Sequence, residues 1–362
     1  MKTIQIGLVY FILLFQTQSS FSQSDSIETC DASCICSTDP TPAGVMISHV
    51  HSKNEWMISY RFMNMGMKRL QSGAKSISEN DVFTNYIMSP SSMKMDMHML
   101  MGMYGLTDRL TAMIMFNYSI SSMDMDMFTS DGHNHPGMVG MEGMSSTSMS
   151  NHTMNSSGFS DTKLQFLYGF KKHKNYQILV NLGCNIPTGS IQAKGLNSDM
   201  MYPNNRLPYG MQLGSGTFDI LPGVTYLHQK NDLTYSFQAS SVVRLGYNQV
   251  GYKLGNETSL NVWLAYTWID NLSTSLRLEG NIVSNVKGGD PTIYAYNEPS
   301  SNRLNYGGKK VTSYLGTTYQ FQKGILKNNR IGIEYGIPIY QNLNGIQMKQ
   351  NQTVFASWSY TF

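Results

Sequence analysis

Leu110-Thr-Ala-Met-Ile-Met-Phe-Asn-Tyr-Ser-Ile120 alternates residue by residue. Leu110, Ala112, Ile114, Phe116, Tyr118 and Ile120 fall on one face, and Thr111, Met113, Met115, Asn117 and Ser119 on the other. Successive side chains of a β-strand point to opposite faces, so a period of two reads as a strand with two different surroundings. Trp56, Ile58, Tyr60 and Phe62 repeat the pattern against Met57, Arg61, Met63, Met65 and Met67. At the C-terminus, Val354, Ala356, Trp358, Tyr360 and Phe362 oppose Thr353, Ser357, Ser359 and Thr361. The chain has 22 Tyr, 32 Gly and 14% charged residues. It shows no helical periodicity and, after the leader, no run of the roughly 20 apolar residues that a membrane helix needs. A transmembrane β-barrel has this profile, because only alternate residues meet lipid.

Twelve strands are expected, near 54–68, 93–106, 109–125, 159–173, 175–188, 216–230, 231–247, 256–270, 271–286, 307–323, 327–341 and 350–362. Short turns alternate with longer polar loops at 69–92, 126–158, 187–215, 247–256, 286–306 and 341–350. Outer-membrane barrels alternate in this way, with tight periplasmic turns and long outer loops. An even strand count places both termini in the periplasm. The fold class expected is therefore all-β, a single antiparallel barrel over 53–362. Residues 1–22 read as a secretory signal, with Lys2, an apolar core from Gly7 to Phe15, and a small-x-small site at Ser20-Phe21-Ser22. Residues 23–52 read as a short irregular periplasmic tail. The expected location is the outer membrane and the expected partner is the bilayer. Removing Lys2 from the 26 Lys and Arg leaves 25 against 23 Asp and Glu, a balance that suggests no nucleic-acid partner. No nucleophile motif such as G-x-S-x-G is present, so no enzyme is expected.

Of 27 methionines, 22 lie between Met46 and Met154, many at every second position. If Ile114, Phe116 and Tyr118 face lipid, then Met113 and Met115 face the lumen. The same parity turns Met63, Met65, Met67, Met93, Met95, Met97 and Met99 inward. An Arg61 facing the bilayer centre would cost about 2–4 kcal/mol, which supports this choice. Lys94, Asp96 and His98 belong to the opposite face, near a rim. Thioethers are soft ligands for Cu(I), and imidazoles take Cu(II) or Zn. The candidate ligands are these methionines with His98, together with Met123, Met125, Met127, His133, His135 and His152 of the region from Ser121 to Phe159, which includes the Met/His-rich loop 126–158. In the tail, Cys30, Cys34, Cys36, His49 and His51 form a second candidate set, with a disulfide as the alternative for the cysteines. Arg244, Arg277, Glu279 and Glu334 share the lumen face, either as wall-holding pairs or as a polar conduit.

The stretches Thr41-Pro-Ala-Gly-Val-Met46 and His49-Val-His-Ser-Lys-Asn-Glu-Trp-Met57-Ile-Ser-Tyr-Arg61-Phe-Met63-Asn-Met65 resemble the opening of a Met-rich group of outer-membrane proteins linked to the phenol-degradation meta-pathway barrel family. The resemblance implies an outer-membrane barrel transporter of Gram-negative type and supplies no ligand set. Two functions follow as expectations. One is copper handling, with copper ions as non-obligatory ligands and a periplasmic metal-handling protein as a partner. The other is a channel for small hydrophobic or aromatic compounds, in which methionine gives an adaptable apolar lining. An adhesive or structural barrel is a third.

Overall fold

The computed structural model describes residues 39–127, 150–172, 175–194, 206–269 and 271–362. The strands of its wall are β1 (Trp56–Gly73), β2 (Met88–Thr107), β3 (Leu110–Met127), β4 (Ser150–Phe159), β5 (Thr162–Lys172), β6 (Tyr176–Ile186), β7 (Phe218–Ile220), β8 (Gly223–Lys230), β9 (Leu233–Leu245), β10 (Glu257–Ile269), β11 (Leu272–Val283), β12 (Gly308–Gln320) and β13 (Asn329–Thr361), and short strands at Lys75–Ile77, Tyr252–Lys253 and Lys287–Gly288 lie beside them. All pairings are antiparallel, and the ring closes where β1 pairs with the second part of β13, from Met57↔Thr361 to Gly73↔Leu343.

Three features bring this set to twelve passes of the wall. The stretches β4 and β5 pair with successive parts of β3, and β7 and β8 with successive parts of β9, so each couple makes one pass. Pro222, between β7 and β8, has no N–H to give a ladder. The long β13 makes two passes. Its first part pairs with β12 and its second with β1, and it doubles back near Leu343, where Gly345 takes φ +61°. The long loop expected at 341–350 is therefore a tight reversal. Glycine tolerates positive φ without steric cost, which lets the strand reverse with little interruption. Strands also replace parts of two other expected loops, 69–92 and 126–158. The ladder continues to Gly73 in β1, begins at Met88 in β2, and resumes at Ser150 after the Met/His-rich stretch.

The face assignment holds along β1, β2 and β3. Met57, Ser59 and Arg61, then Met99, Met101 and Met103, then Met113 and Met115 are buried. Leu100, Phe116 and Ile120 are exposed on the outside. So are Leu260, Val262, Leu264, Ile333 and Ile337 of the later strands. This outer belt of large apolar side chains is the surface a bilayer covers, and it leaves the polar residues to fill the interior.

Candidate functional site

The methionines form cross-strand rows inside the barrel. Antiparallel register sets Met63 against Met97, Met65 against Met95, and Met67 against Met93, while Met93 continues to Met123 and Met123 to Met154. Directly opposed residues have Cβ atoms about 4.5–5.5 Å apart. The rows gather into two apolar clusters. Toward the short-turn end, Met57, Met99, Met101, Met103, Met113 and Met115 pack with Leu167, Leu179, Ile47 and Val50. Toward the long-loop end, Met88, Met93, Met123, Met125 and Met154 pack with Leu207 and Met211, from a connection that folds inward. Met63 and Met97 lie half-buried against the first cluster, and Met67, Met95 and Met127 against the second.

Residues 39–52 enter the lumen at the short-turn end, which is periplasmic in barrels of this kind. The sequence left this segment as an irregular tail. Its alternation lasts only from Ala43 through Val45 to Ile47, and the barrel supplies its hydrogen-bond partners instead. Gly44 N donates to Glu334 Oε2 at 2.7 Å, and His51 N donates to Thr111 Oγ1 at 2.8 Å. The Val45 carbonyl accepts from Arg61 Nη2 at 2.9 Å, and the Ile47 carbonyl from Gln238 Nε2 at 2.6 Å. Arg330 donates to Asp39 and to the Thr41 carbonyl. Buried backbone groups need such partners, and with Asp39 N donating to Gln320 Oε1 at 3.3 Å this plug obtains them from five strands.

Its two histidines have local jobs. His49 Nδ1 lies 3.2 Å from Asp39 Oδ2, and His51 Nδ1 lies 3.5 Å from Glu55 Oε2. Burial pushes the Asp39 carboxyl up, but Arg330 and His49 together outweigh burial and hold it well below the usual carboxylate range. Burial lowers the His51 imidazole against the opposing pull of Glu55.

Opposite the methionines, the wall is charged. Arg277 Nε and Nη2 reach the two oxygens of Glu334 at 2.8 and 3.1 Å, while Nη1 donates to Asn261 at 2.8 Å and to Glu279 at 3.3 Å. The guanidinium also lies 3.8 Å from the Tyr314 ring centre. Arg244 joins Asp219 and Glu257. The four lumen charges expected from sequence thus belong to paired networks that tie strands together.

The structure divides the sequence-derived ligand set. Met63, Met65, Met67, Met93, Met95, Met97, Met99, Met113, Met115, Met123 and Met125 share the interior face. His152 stands opposite Met125 in the ladder and so joins that face. His98 does not join it. It registers with Phe62 and Tyr118 on the outer face, where Tyr60 Oη lies 2.7 Å from its Nδ1. Its even position in β2 already carried that signal. Cys30, Cys34, Cys36, His133 and His135 lie outside the described residues. Among the described residues no three of His, Cys, Asp or Glu converge as a metal site. Met46, Met101, Met103, Met154 and Met211 lie outside the sequence-derived ligand set, although period-two spacing marks Met101 and Met103 and Met154 belongs to the Met/His-rich stretch.

Comparison with known proteins adds two findings. Residues 128–292 match the family described as "Putative MetA-pathway of phenol degradation". The chain resembles that family. The matched stretch is the middle of the barrel, not the Thr41–Met65 opening that first suggested the likeness. Among solved structures, an outer membrane channel from Pseudomonas putida F1 superposes with a TM-score of 0.55 at 10% identity, covering 86% of this chain and 97% of that one. A Pseudomonas aeruginosa FadL homologue gives 0.41 at 12% identity, covering 85% of this chain and 90% of that one. The toluene transporter TodX of P. putida gives 0.40 at 11%, covering 86% and 90%. The first of these shows the fold, an outer-membrane β-barrel. No curated protein matches the chain.

Proposed function

We propose that this chain is an outer-membrane channel for small hydrophobic compounds, aromatic ones included. The observation that carries the reading is the continuous methionine track on β1, β2 and β3, running from the plug to the inward-folded outer connection. Three rotatable bonds and a polarizable sulfur let a thioether fit apolar solutes of several shapes, and polar wall networks leave the track as the apolar side of the lumen. The phenol-degradation description of the matching family points the same way. The test is transfer of toluene and phenol into proteoliposomes carrying the purified barrel. Transfer well above that of empty vesicles, reduced when Met63, Met65, Met95 and Met97 become Asn, is the expected result. Rates equal to those of empty vesicles would overturn the reading.

A second reading rests on register. Met63 with Met97, Met65 with Met95 and Met67 with Met93 offer opposed thioethers at successive levels, about 6.8 Å apart along each strand. Such a ladder suits Cu(I) or Ag(I). Calorimetric titration with Ag(I) tests it. Binding should vanish when the six residues are replaced by Leu, which nearly conserves volume. Unchanged affinity in that variant would remove the metal reading and leave the channel untouched.

A further inference from the structure

A cavity of about 220 Å³ lies between the plug and the wall at the short-turn end. Its apolar side includes Met46 and Val50 of the plug with Met57 and Met101 of the wall, and Arg61 and Arg330 also line it. Each carboxylate in its lining is taken. Asp39 is held by Arg330 at 3.3 Å and by His49, while Glu55 is held by His51 and by the Ser52 N–H at 2.7 Å. The nearby Glu334 spends both oxygens on Arg277 and the second also on Gly44 N.

Arg61 is different. It is only 8% exposed, and no described carboxylate lies within ion-pair distance of it. Its ladder neighbours are Met99 and Ser357. One amino group donates to the Val45 carbonyl, and Nε has no partner. A buried guanidinium without a counter-charge is costly, because an ion removed from water is offset only by a close opposite charge. Its planar fork matches a carboxylate in two parallel hydrogen bonds.

We infer that this cavity is a subsite for a small monoanion with a compact apolar body, such as an aromatic monocarboxylate. Arg61 takes the carboxylate, and Met46, Met57 and Met101 pack against the body. The inference rests on the channel reading and narrows it. Among the apolar compounds that use the barrel, those carrying one acidic group pause at the periplasmic mouth. A neutral compound of the same shape leaves Arg61 uncompensated and gains only the thioether contacts.

The experiment uses the full-length mature barrel in detergent micelles, with binding of 4-fluorobenzoate and of 4-fluorobenzyl alcohol followed by fluorine NMR. The barrel should prefer the carboxylate by about tenfold or more, the equivalent of about 1.4 kcal/mol. Arg61→Gln should abolish that preference while leaving alcohol binding in place. Gln can still donate to the Val45 carbonyl, so hydrogen exchange over 45–51 reports whether the plug stays seated. Should it loosen, Ser59→Asp gives a second route. It places a resident carboxylate two positions from Arg61 on the same face, keeps the guanidinium, and should exclude 4-fluorobenzoate. Equal binding of acid and alcohol by the unaltered barrel would overturn the subsite, as would a preference that survives both substitutions. Binding is read without transport, so a barrel that binds the acid through Arg61 yet passes no toluene would sink the channel reading alone.

Discussion

The two sides of the lumen bury comparable rows of side chains by opposite means. On β1, β2 and β3 the filler is thioether, which packs without directional demand. On β10 to β13 it is a network centred on Arg277 and Glu334, 2% and 1% exposed, in which the guanidinium donates to Glu334, Glu279 and Asn261. The plug touches both, with Ile47 and Val50 on the methionines and Gly44 on Glu334. An apolar interface loses contact area when a residue changes. A charged one loses its balance, so the same barrel should be tolerant on one side and brittle on the other.

Glu334→Ala is the most severe test of that contrast. It leaves Arg277 buried with only Glu279 and Asn261, and should cost about 3–5 kcal/mol in urea unfolding of the barrel in micelles. A loss below about 1 kcal/mol would mean that the charged side is no more demanding than the other. Gly44→Ala comes next. A Cβ there would run into Arg277 Nη2 and Glu334 Oε2, so the plug should lift at that point. Single-channel conductance in planar bilayers should rise, and an unchanged trace would show that the charged side yields after all.

A gentler probe is acid. His51 has its imidazole pKa lowered in the folded state, so the unfolded chain binds the proton more readily. The contribution of His51 to plug seating is complete above its ordinary value of 6.5 and is lost as pH falls through the lower folded value. Protection of the amides over 45–51, measured against their intrinsic exchange rate at each pH, should therefore fall as the solution is acidified from pH 7. His51→Gln, which cannot take up the proton, should flatten that trend, and a trend that persists unchanged would show that His51 is not its cause. The smallest effect belongs to the thioether side. Met101→Leu and Met103→Leu should each cost less than about 1.5 kcal/mol, since volume is nearly kept.

Strand positions and the inward parity of the methionines were legible because alternation has a single structural reading. Ile114, Phe116 and Tyr118 name the lipid side without help from any partner strand. The plug was not legible. Ala43, Val45 and Ile47 alternate for only three positions before Val50 breaks the period, and what orders them is a set of acceptors and donors up to about 290 residues away. His98 was grouped with the methionines for its chemistry although its parity opposed that grouping, and here the simpler geometric rule was the better guide. The reversal near Leu343 escaped notice because Gln and Asn around a glycine read as a long loop, whereas Gln341 and Gln350 in fact bond each other across the hairpin.

The plug also bears on the order of assembly. It is joined to β1 by the Ser52–Glu55 connection, and it bonds to residues from β1 through to β13. Its contact between Gly44 and Glu334 spans 290 residues. The ring seals only when β1 meets the last pass of β13, and a sealed cylinder leaves the segment one open end by which to enter. The first described residues and the last strand must therefore settle together, so wrapping the sheet around its own leading segment is a late, non-local step. Chains rich in such distant contacts fold slowly. A barrel built without residues 39–52 would close around an empty periplasmic mouth, and the rate of closure would then report whether the plug serves as the former on which the cylinder is wound.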